Sequence, residues 1–367
     1  MIPVNTPLLN GNEKKYLNEC IDTGWISSEG PFIKRFEEEM ASYVGRKFGV
    51  AVSNGSAALD IAVRALGIKE GDEVIMPTFT IISPAQSVVY AGGKPVLVDA
   101  DAQTWCMDVK QIEAKITPKT RAIIVVHIYG FPTDMDPVIA LANKYKLQII
   151  EDAAEMHGQT YKGRRCGSFG HISIFSFYPN KHITTGEGGM IMTDDETLAE
   201  KCKYYRNLCF KPERRFVHEE LGWNYRMTNL QAALGVAQLE KIESHILRKR
   251  EIGALYNLYL QNVSGIELMP VNTSFAENIY WVYTVVSKNK TAIELMKLLG
   301  EKGIGTRPFF YPMHLQPVFQ KKGWFISEHY PVAERIAEYG FYLPSGLGIT
   351  DEEIKTVSQV LKFILIV

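Results

Sequence analysis

The sequence has few of the features that would set it apart from ordinary globular proteins. Only five of its 367 residues are cysteines, and they are scattered, without a CxxC pair or a histidine-rich partner segment. We therefore expect neither a disulfide framework nor a metal site. Forty basic residues offset forty-one acidic ones, a formal net charge of -1, so no overall field attracts nucleic acid or an anionic membrane. Any anionic ligand must be held by a local site.

Long hydrophobic runs are also missing. The first residues, MIPVNTPLLNGNEKK, have neither the basic start nor the apolar centre of a signal peptide. No later segment approaches the ~20 apolar residues of a membrane helix, and the short apolar tail at 363–367 is interpreted as the end of a packed helix. Because the thiols are interpreted as reduced and structural, we predict a cytoplasmic protein with no membrane partner.

The length and the periodicity that are present indicate a two-domain α/β protein. Apolar residues make up 46% and charged residues 22% of the chain, as in ordinary globular proteins. The chain exceeds the ~250–300 residues of a single core. From residue 48, short apolar runs rich in β-branched residues alternate with helical stretches, a pattern typical of strands joined by crossover helices. The predicted strands are 48–53, 74–77, 95–99, 122–129, 147–151, 172–177 and 189–193.

Helical spacing of apolar residues predicts the elements between and after these strands. Segments 56–66 and 136–145 are predicted helices, and 229–250 is predicted as one long helix leading to a second domain. A strand at 280–286 and a helix at 292–300 follow. The predicted fold is therefore a large α/β domain (1–245) with a mostly parallel mixed sheet, and a smaller α+β C-terminal domain (246–367).

Polar residues at the ends of predicted strands indicate a ligand site, because ligands of open α/β sheets bind outside the carboxyl ends of the strands. The first strand is followed by Asn54, Gly55, Ser56 and Ala57 at the start of a helix. Backbone amides and a hydroxyl in this position bind phosphate, although small polar residues there more often only cap the helix.

Carboxylates follow another strand, in IIEDAAEMHG, which carries Asp152 and Glu155. Buried carboxylates require a positive partner, either a cationic ligand or a protein Arg or Lys. The strand SIFSF leads into YPNKHITTGEGGM, which carries Lys181. Most lysines are solvated on the surface, but this one follows an apolar strand into the predicted site, and a desolvated amine is neutral enough to attack an aldehyde.

A phosphate site, a carboxylate and a lysine together are what pyridoxal 5′-phosphate (PLP) requires. The phosphate anchors the cofactor, the carboxylate keeps its ring nitrogen protonated, and the lysine binds its aldehyde. The sequence therefore predicts a PLP enzyme in which Lys181 forms the Schiff base and Asp152 pairs with the ring.

Six segments in chain order carry a family resemblance: NGSAALDIAVRALG, PTFTIISPAQSVVYAGGKPVLVDAD, VHIYGFPTDMD, IIEDAAEMHG, SIFSFYPNKHITTGEGGM and GWNYRMTNLQAALG. The chain resembles the nucleotide-sugar aminotransferases of the DegT/DnrJ/EryC1/StrS family, which have the fold-type I aminotransferase architecture. WISSEGP, EDAAEMHG and TRPFFYPMHLQP are most similar to members acting on GDP-4-keto-6-deoxymannose. The resemblance implies that L-glutamate donates its amino group, leaving pyridoxamine 5′-phosphate, which aminates the 4-keto carbon of the sugar.

The resemblance also implies roles for individual residues. Lys181 serves as the general base, and Glu155 lies near the ring hydroxyl. Asn224, in GWNYR, matches an asparagine that reaches the phosphate of the neighbouring subunit, which implies a homodimer with two shared sites. The positions that match the phosphate site are Ser56, Ala57 and Ser176.

One position departs from the family pattern. Many members carry an aromatic residue after the threonine of the PTFT segment, where it stacks on the cofactor ring, and this chain has Ile81. Either the aliphatic side chain replaces the stack, or Phe79 compensates.

The substrate side is expected to use the segment TRPFFYPMHLQP. Arg307 is a candidate contact for the anionic groups of a nucleotide sugar, and the neighbouring aromatic residues are candidate walls. The alternative is an interdomain packing cluster. The candidate substrate residues are Arg307, Phe310, Tyr311, His314 and Trp25.

Competing functions remain open from the sequence. A UDP- or dTDP-linked keto-sugar would suit the same family. A PLP-dependent sugar 3-dehydratase of that family carries a histidine where this chain has Lys181. A Rossmann oxidoreductase would need GxGxxG after the first strand, where NGSAAL stands. A non-enzymatic sensor with the same fold is disfavoured by the presence of both Lys181 and Asp152.

Overall fold

The structure, a computed structural model, describes residues 1–366. Most elements before residue 240 belong to one seven-stranded sheet and the helices that cover it. In chain order they are α1 (Glu13–Thr23), α2 (Pro31–Val44), β1 (Phe48–Val52), α3 (Gly55–Ala65), β2 (Glu73–Pro77), α4 (Ser83–Tyr90), β3 (Lys94–Val98), β4 (Thr120–Val126), α5 (Met135–Tyr145), β5 (Gln148–Asp152), β6 (Thr160–Tyr161), β7 (Arg164–Arg165), β8 (Ile172–Ser176), β9 (Gly189–Thr193), α6 (Glu196–Arg206) and α7 (Asn229–Leu239).

The large sheet is mixed but mostly parallel. Its strand order is β1-β9-β8-β5-β4-β2-β3, and β9 runs antiparallel to both neighbours, while the pairs from β8 to β3 are parallel. Two hydrophobic clusters cover its two faces, which explains why these strands are apolar on both sides. The predicted α/β class and sheet are confirmed, and the ends of the seven predicted strands lie within three residues of the observed ones.

The C-terminal part forms a smaller antiparallel layer with its own core. Its elements are α8 (Ile242–Leu260), β10 (Ile266–Glu267), β11 (Tyr283–Ser287), α9 (Ala292–Glu301), β12 (Arg307–Pro308), α10 (Pro317–Gln320), α11 (Pro331–Tyr339), β13 (Gly340–Leu343) and α12 (Asp351–Ile366). The four strands pair in the order β10-β11-β13-β12. The apolar tail up to residue 366 is the end of α12, as predicted, and residue 367 lies outside the described residues.

The prediction of one long helix over 229–250 is wrong, because α7 ends at Leu239 and α8 begins at Ile242. The break is held by Glu240, whose carboxylate accepts hydrogen bonds from Asn12 (2.7 Å) and Tyr16 (2.6 Å) and pairs with Arg35. These partners lie on or beside α1 and α2, against which α7 packs. Because the contacts are distant in sequence, helical periodicity alone does not reveal the break.

Helix α8 links the two parts of the molecule. Ile242 and Ile246 in its first turns belong to the core under the large sheet, whereas Ile252 and Tyr256 belong to the core of the small domain. The predicted boundary after residue 245 therefore falls inside α8. Ile2 pairs with Ile304, so the first residues of the chain lie against the small domain.

All five cysteines are buried free thiols. Among residues 1–366, no helix is long and apolar enough to span a membrane.

Candidate active site

A cavity of about 610 Å³ opens at the carboxyl ends of the central parallel strands. It is bordered by Val126 at the end of β4, Asp152 at the end of β5 and Ser176 at the end of β8. The N-terminus of α3 forms another side, and Trp281 of the small domain faces it. The site therefore lies where ligands of open α/β sheets bind.

Lys181 enters this cavity on the loop that follows β8. The loop is held by a bond from the Lys181 amide to the carbonyl of Tyr178 (2.9 Å) and by one from Asn5 Nδ2 to the carbonyl of Pro179 (3.0 Å). The Lys181 side chain is only 9% exposed. Its Nζ atom lies 3.9 Å from Oε1 of Glu155 and 3.7 Å from the centroid of the Trp281 ring.

Two carboxylates share the cavity with this amine. One oxygen of Asp152 accepts a hydrogen bond from the Ala154 amide (3.1 Å), and Oε2 of Glu155 accepts one from the Tyr129 amide (2.7 Å). Burial raises the pKa of Asp152 to about 6 and that of Glu155 to about 8, although Lys181 opposes both shifts. Burial also lowers the pKa of Lys181, against the pull of Glu155 and Asp152. The amine is therefore closer to its neutral, nucleophilic form than a surface lysine.

The N-terminus of α3 forms the end of the cavity suited to an anion. Ser56 lines the cavity, and its hydroxyl bonds to that of Ser83 (2.7 Å). Gly55 packs so closely on Ser176 that a Cβ at Gly55 would lie 2.9 Å from the Ser176 Cβ atom. The helix dipole and the amides of its first turn favour a phosphate here. Ala57 matches a phosphate-binding position of the family, and its amide donates to Oδ1 of Asn54 (2.8 Å) as part of the helix cap.

The residues of the cavity fit PLP. Among the described residues, the buried atoms Thr80 Oγ1 and Asn180 Oδ1 have no hydrogen-bond partner, and both residues line the cavity. Buried polar atoms are normally bonded, so a polar ligand suits this space. Asp152 needs a positive partner and the α3 N-terminus needs a negative one. A protonated ring that carries a phosphate supplies both.

Sequence reasoning missed His127, which follows β4 and lines the cavity. Its Nδ1 atom accepts a hydrogen bond from the Thr133 amide (3.1 Å), so Nε2 carries the proton and donates to Glu151 (3.0 Å). Burial works to raise the pKa of Glu151, but the His127 bond and backbone amides hold it below its usual value. The strand-end rule that singled out Asp152 applies equally to His127 and would have found it.

The two residues considered for covering the cofactor ring, Ile81 and Phe79, lie in different environments in the structure. Ile81 lines the cavity and is 49% exposed, whereas Phe79 is fully buried outside it, against Tyr129 and Phe309. Phe79 is therefore held by packing and does not face the cavity.

The predicted substrate residues lie in different parts of the structure. Phe310 lines the main cavity, and Arg307 lines an adjoining one of about 230 Å³ that shares Trp281 and Asn180 with it. Tyr311 is exposed. His314 is buried, with Nδ1 bonded to Thr78 (2.8 Å) and Nε2 to Glu334 (2.9 Å).

Two further predicted residues lie on the surface of the chain. Trp25 is half-exposed, and its carbonyl accepts a bond from Asn229 (2.7 Å). Asn224 is exposed, and its Oδ1 atom accepts a bond from Arg226 (2.8 Å). Within residues 1–366, neither is among the residues that border the main cavity.

Comparison with known proteins agrees with this geometry. The DegT/DnrJ/EryC1/StrS aminotransferase family model matches residues 7–362. The GDP-perosamine synthase of Escherichia coli O157:H7 is 43% identical over 354 residues, covering 96% of this chain and 95% of that protein. The GDP-perosamine synthase of Caulobacter vibrioides is 42% identical, covering 100% and 98%. The PLP form of a putative sugar aminotransferase from Streptococcus pneumoniae superposes with a TM-score of 0.93 at 25% identity, covering 99% of this chain and 98% of that one.

Proposed function

The chain belongs to the DegT/DnrJ/EryC1/StrS family of PLP-dependent aminotransferases, and we propose that it transfers the amino group of L-glutamate to the 4-keto carbon of GDP-4-keto-6-deoxymannose, giving GDP-perosamine. The aminotransferase activity is supported by one observation: Lys181, Asp152 and Glu155 line the same cavity, beside a helix N-terminus. The similarity to two GDP-perosamine synthases supports the choice of sugar. The product would serve the synthesis of O-antigen.

Four residues of the cavity have a role in this proposal. When bound, PLP supplies an aldehyde to which an amine bonds and a ring that draws electrons from the substrate's Cα–H bond. Asp152 keeps the proton on the ring nitrogen. Ser56, Ser176 and the first turn of α3 bind the phosphate. Lys181 would bond through its amine to the aldehyde carbon of the cofactor and, as a free amine, would accept and return protons as a general base.

The acceptor is proposed to bind across the mouth shared by the two cavities. Arg307 borders the adjoining cavity, and its guanidinium donates a hydrogen bond to the carbonyl of Thr306 (3.1 Å). Such a cation is suited to the diphosphate of a nucleotide sugar or to a carboxylate of the amino donor. Phe310 offers an apolar wall. Tyr311 and Trp25 are half-exposed and are proposed to contact only the outer part of a long substrate.

We further propose that the active form is a homodimer. Asn224 follows a loop that exposes the apolar side chains of Phe216 (79%) and Leu221 (87%). A contiguous exposed apolar patch is typical of a surface that another chain covers, and these two side chains support such a surface beside Asn224. In the dimer, Asn224 would reach the phosphate in the neighbouring subunit.

A two-stage assay tests the proposal. The purified protein is loaded with PLP, and L-glutamate is added while the absorbance of the cofactor is followed; conversion to the pyridoxamine form is expected. GDP-, UDP- and dTDP-linked 4-keto-6-deoxysugars are then offered separately, and only the GDP-linked sugar should restore the PLP form and gain an amino group by mass spectrometry. Failure of the first stage would refute L-glutamate as the amino donor. Preference for a UDP- or dTDP-linked sugar would refute the assigned acceptor, and loss of the 3-hydroxyl without gain of nitrogen would identify a dehydratase.

A further inference from the structure

Trp281 reaches the cavity because the segment before β11 is not a regular strand. The Tyr280 amide is bonded to Oδ1 of Asn278 (2.7 Å), and Tyr280 has a left-handed φ of 48°. This bend turns the Trp281 side chain towards the large domain, where it is 4% exposed and lines the cavity. The small domain therefore contributes one wall of the site through this residue.

The indole of Trp281 contacts the Lys181 loop at two points. Nε1 donates a hydrogen bond to the carbonyl of Asn180 (2.9 Å), the residue directly before Lys181. The ring face meets the amine of Lys181, with Nζ 3.7 Å from the ring centroid. One side chain therefore holds both the backbone of the loop and the reactive end of the lysine.

Two further contacts hold Trp281 in place. Tyr129 stacks on it, with ring centroids 5.8 Å apart and an angle of 20° between the planes. The carbonyl of Trp281 accepts a hydrogen bond from Nζ of Lys249 (2.8 Å), which is fully buried in the small domain. Contacts of this kind leave the ring few alternative rotamers.

We propose that Trp281 is a positioning residue for Lys181: its ring face and the Glu155 carboxylate hold the free amine inside the cavity whenever the lysine is not bonded to the cofactor. This role rests on the proposed function, in which Lys181 is released during each half-reaction. A lysine has four rotatable side-chain bonds, so an amine without such contacts would spend part of its time away from the reacting carbon. The ring of Trp281 attracts the ammonium form through its π face.

The other titratable groups around Lys181 determine how removal of the Trp281 ring should change the pH at which Lys181 loses its proton. Burial disfavours the charged amine and lowers the pKa of Lys181, whereas Glu155 and Asp152 favour the charged form. His157 also faces Lys181, but burial lowers its pKa to about 3, so it is neutral near pH 7. Removing the π face takes away one stabilising contact of the ammonium, so the pH at which Lys181 loses its proton should fall. If Trp281 only closed the cavity, its truncation would admit water and that pH would rise.

The test uses the PLP-free protein and measures the reactivity of Lys181 directly. Pulses of limiting acetic anhydride are given across a range of pH, and acetylation of the Lys181 peptide is read by mass spectrometry. We expect Trp281→Leu to lower the midpoint by about 0.4 to 1.5 pH units, the range of a cation–π contact of ~0.5–2 kcal/mol. Trp281→Phe keeps a π face and should stay near the wild type. Trp324→Leu, which removes a small-domain tryptophan packed on Phe319, is the matched control and should leave the midpoint unchanged.

An unchanged or raised midpoint in a folded Trp281→Leu protein would overturn the inference. A second measurement serves if that variant does not fold. The tryptophan fluorescence of the wild type, titrated with pH, should show a transition at the acetylation midpoint that Lys181→Met lacks, and equal titrations in the two proteins would also overturn it. Both readouts are made without substrate, so they can fail while transamination succeeds, or succeed while the proposed function fails.

Discussion

Nζ of Lys181 lies 3.9 Å from Oε1 of Glu155, and the other oxygen of the same carboxylate is held by the Tyr129 amide. The lysine comes from the loop after β8, and the carboxylate comes from the segment after β5. With Asp152 also present, two buried carboxylates face one buried amine. Burial is the main cause of the raised pKa values of both acids, and Lys181 offsets it only in part, so changes at these residues should have measurable effects.

Lys181→Ala should abolish transamination. The general base alone contributes about 10²–10⁴-fold, and the covalent attachment of the cofactor is lost as well. Borohydride reduction followed by peptide mass spectrometry should find the PLP adduct on the Lys181 peptide of the wild type and not in the variant. Lys144→Ala, at an exposed ion pair with Glu113, is the control and should keep both adduct and activity. Near-normal turnover by Lys181→Ala would contradict the assignment.

Asp152→Asn should stabilise the PLP-free protein above pH 6. Burial raises the pKa of Asp152 from 3.8 to about 6, so the wild type loses stability as the pH rises from about 4 to 6 and then stays level. The loss is at most about 3 kcal/mol at 1.36 kcal/mol per unit. The stability of the asparagine variant does not depend on pH in this way. The substitution should also slow formation of the pyridoxamine form.

Denaturant unfolding of PLP-free Asp152→Asn and wild type at pH 4.5, 5.5 and 7 tests whether the variant gains stability relative to the wild type as the pH rises. Asp136→Asn, which alters an exposed ion pair with Lys162, is the control. A stability difference from the wild type that does not change between pH 4.5 and 7 would count against a buried, ionised Asp152.

Mixed dimers should reveal shared sites. If Asn224 reaches the phosphate of the partner, Lys181→Ala and Asn224→Ala each inactivate both sites of a homodimer. A heterodimer of the two variants contains one site without either substitution, so mixing and refolding should restore activity towards a quarter of the wild type for random pairing. No recovery on mixing would indicate independent sites.

Lys249→Met should flatten the dependence of stability on pH. Burial lowers the pKa of Lys249 from 10.5 to about 7. Between these values only the unfolded chain binds the proton, so the wild type loses up to about 1.4 kcal/mol per pH unit as the pH falls towards 7, with no further loss below it. The variant lacks this slope but loses the bonds to the carbonyls of Trp281 and Ser345. In urea unfolding, the free energy of unfolding of Lys249→Met should therefore fall below that of the wild type by less at pH 7.5 than at pH 9.5. Lys297→Met, at an exposed position, is the control, and its free energy of unfolding should differ from that of the wild type by the same amount at both pH values.

Arg307→Gln should weaken substrate binding while leaving cofactor binding intact. Removing a charged hydrogen-bond partner of an anion costs about 1.5–3 kcal/mol, which corresponds to a roughly 10- to 150-fold loss in kcat/KM. Half-reaction kinetics with L-glutamate and with the keto-sugar identify which substrate it contacts. Arg335→Gln, at an exposed pair with Glu267, is the control. Unchanged kcat/KM for both substrates would assign Arg307 to packing alone.

The central strands and the residues at their ends were predictable because both depend on local patterns. Strand β9 occurs at the predicted residues 189–193, and β5 and β8 lie side by side in the sheet. Parallel neighbours carry their carboxyl ends to one edge, so Asp152 and the loop of Lys181 had to approach each other once the sheet formed. The family resemblance then assigned the chemistry of the two residues.

Other features depended on contacts between distant residues. The break after α7 requires Glu240 to meet Asn12 and Tyr16, more than 200 positions earlier in the chain. The run at 280–286 has the composition of a strand, yet Asn278 bends it at Tyr280. No periodicity in the sequence signals either contact.

The sequence by itself determined the α/β sheet and indicated the cofactor, and it predicted the lysine and the aspartate proposed to serve it, because burial patterns and strand-end chemistry depend on neighbouring residues. Only the tertiary structure decided that Trp281 covers the amine of Lys181, that Phe79 is turned away from the cavity and that His314 is engaged by Thr78 and Glu334. These arrangements arise from the packing of two domains, and packing selects among side-chain directions that the local sequence leaves open.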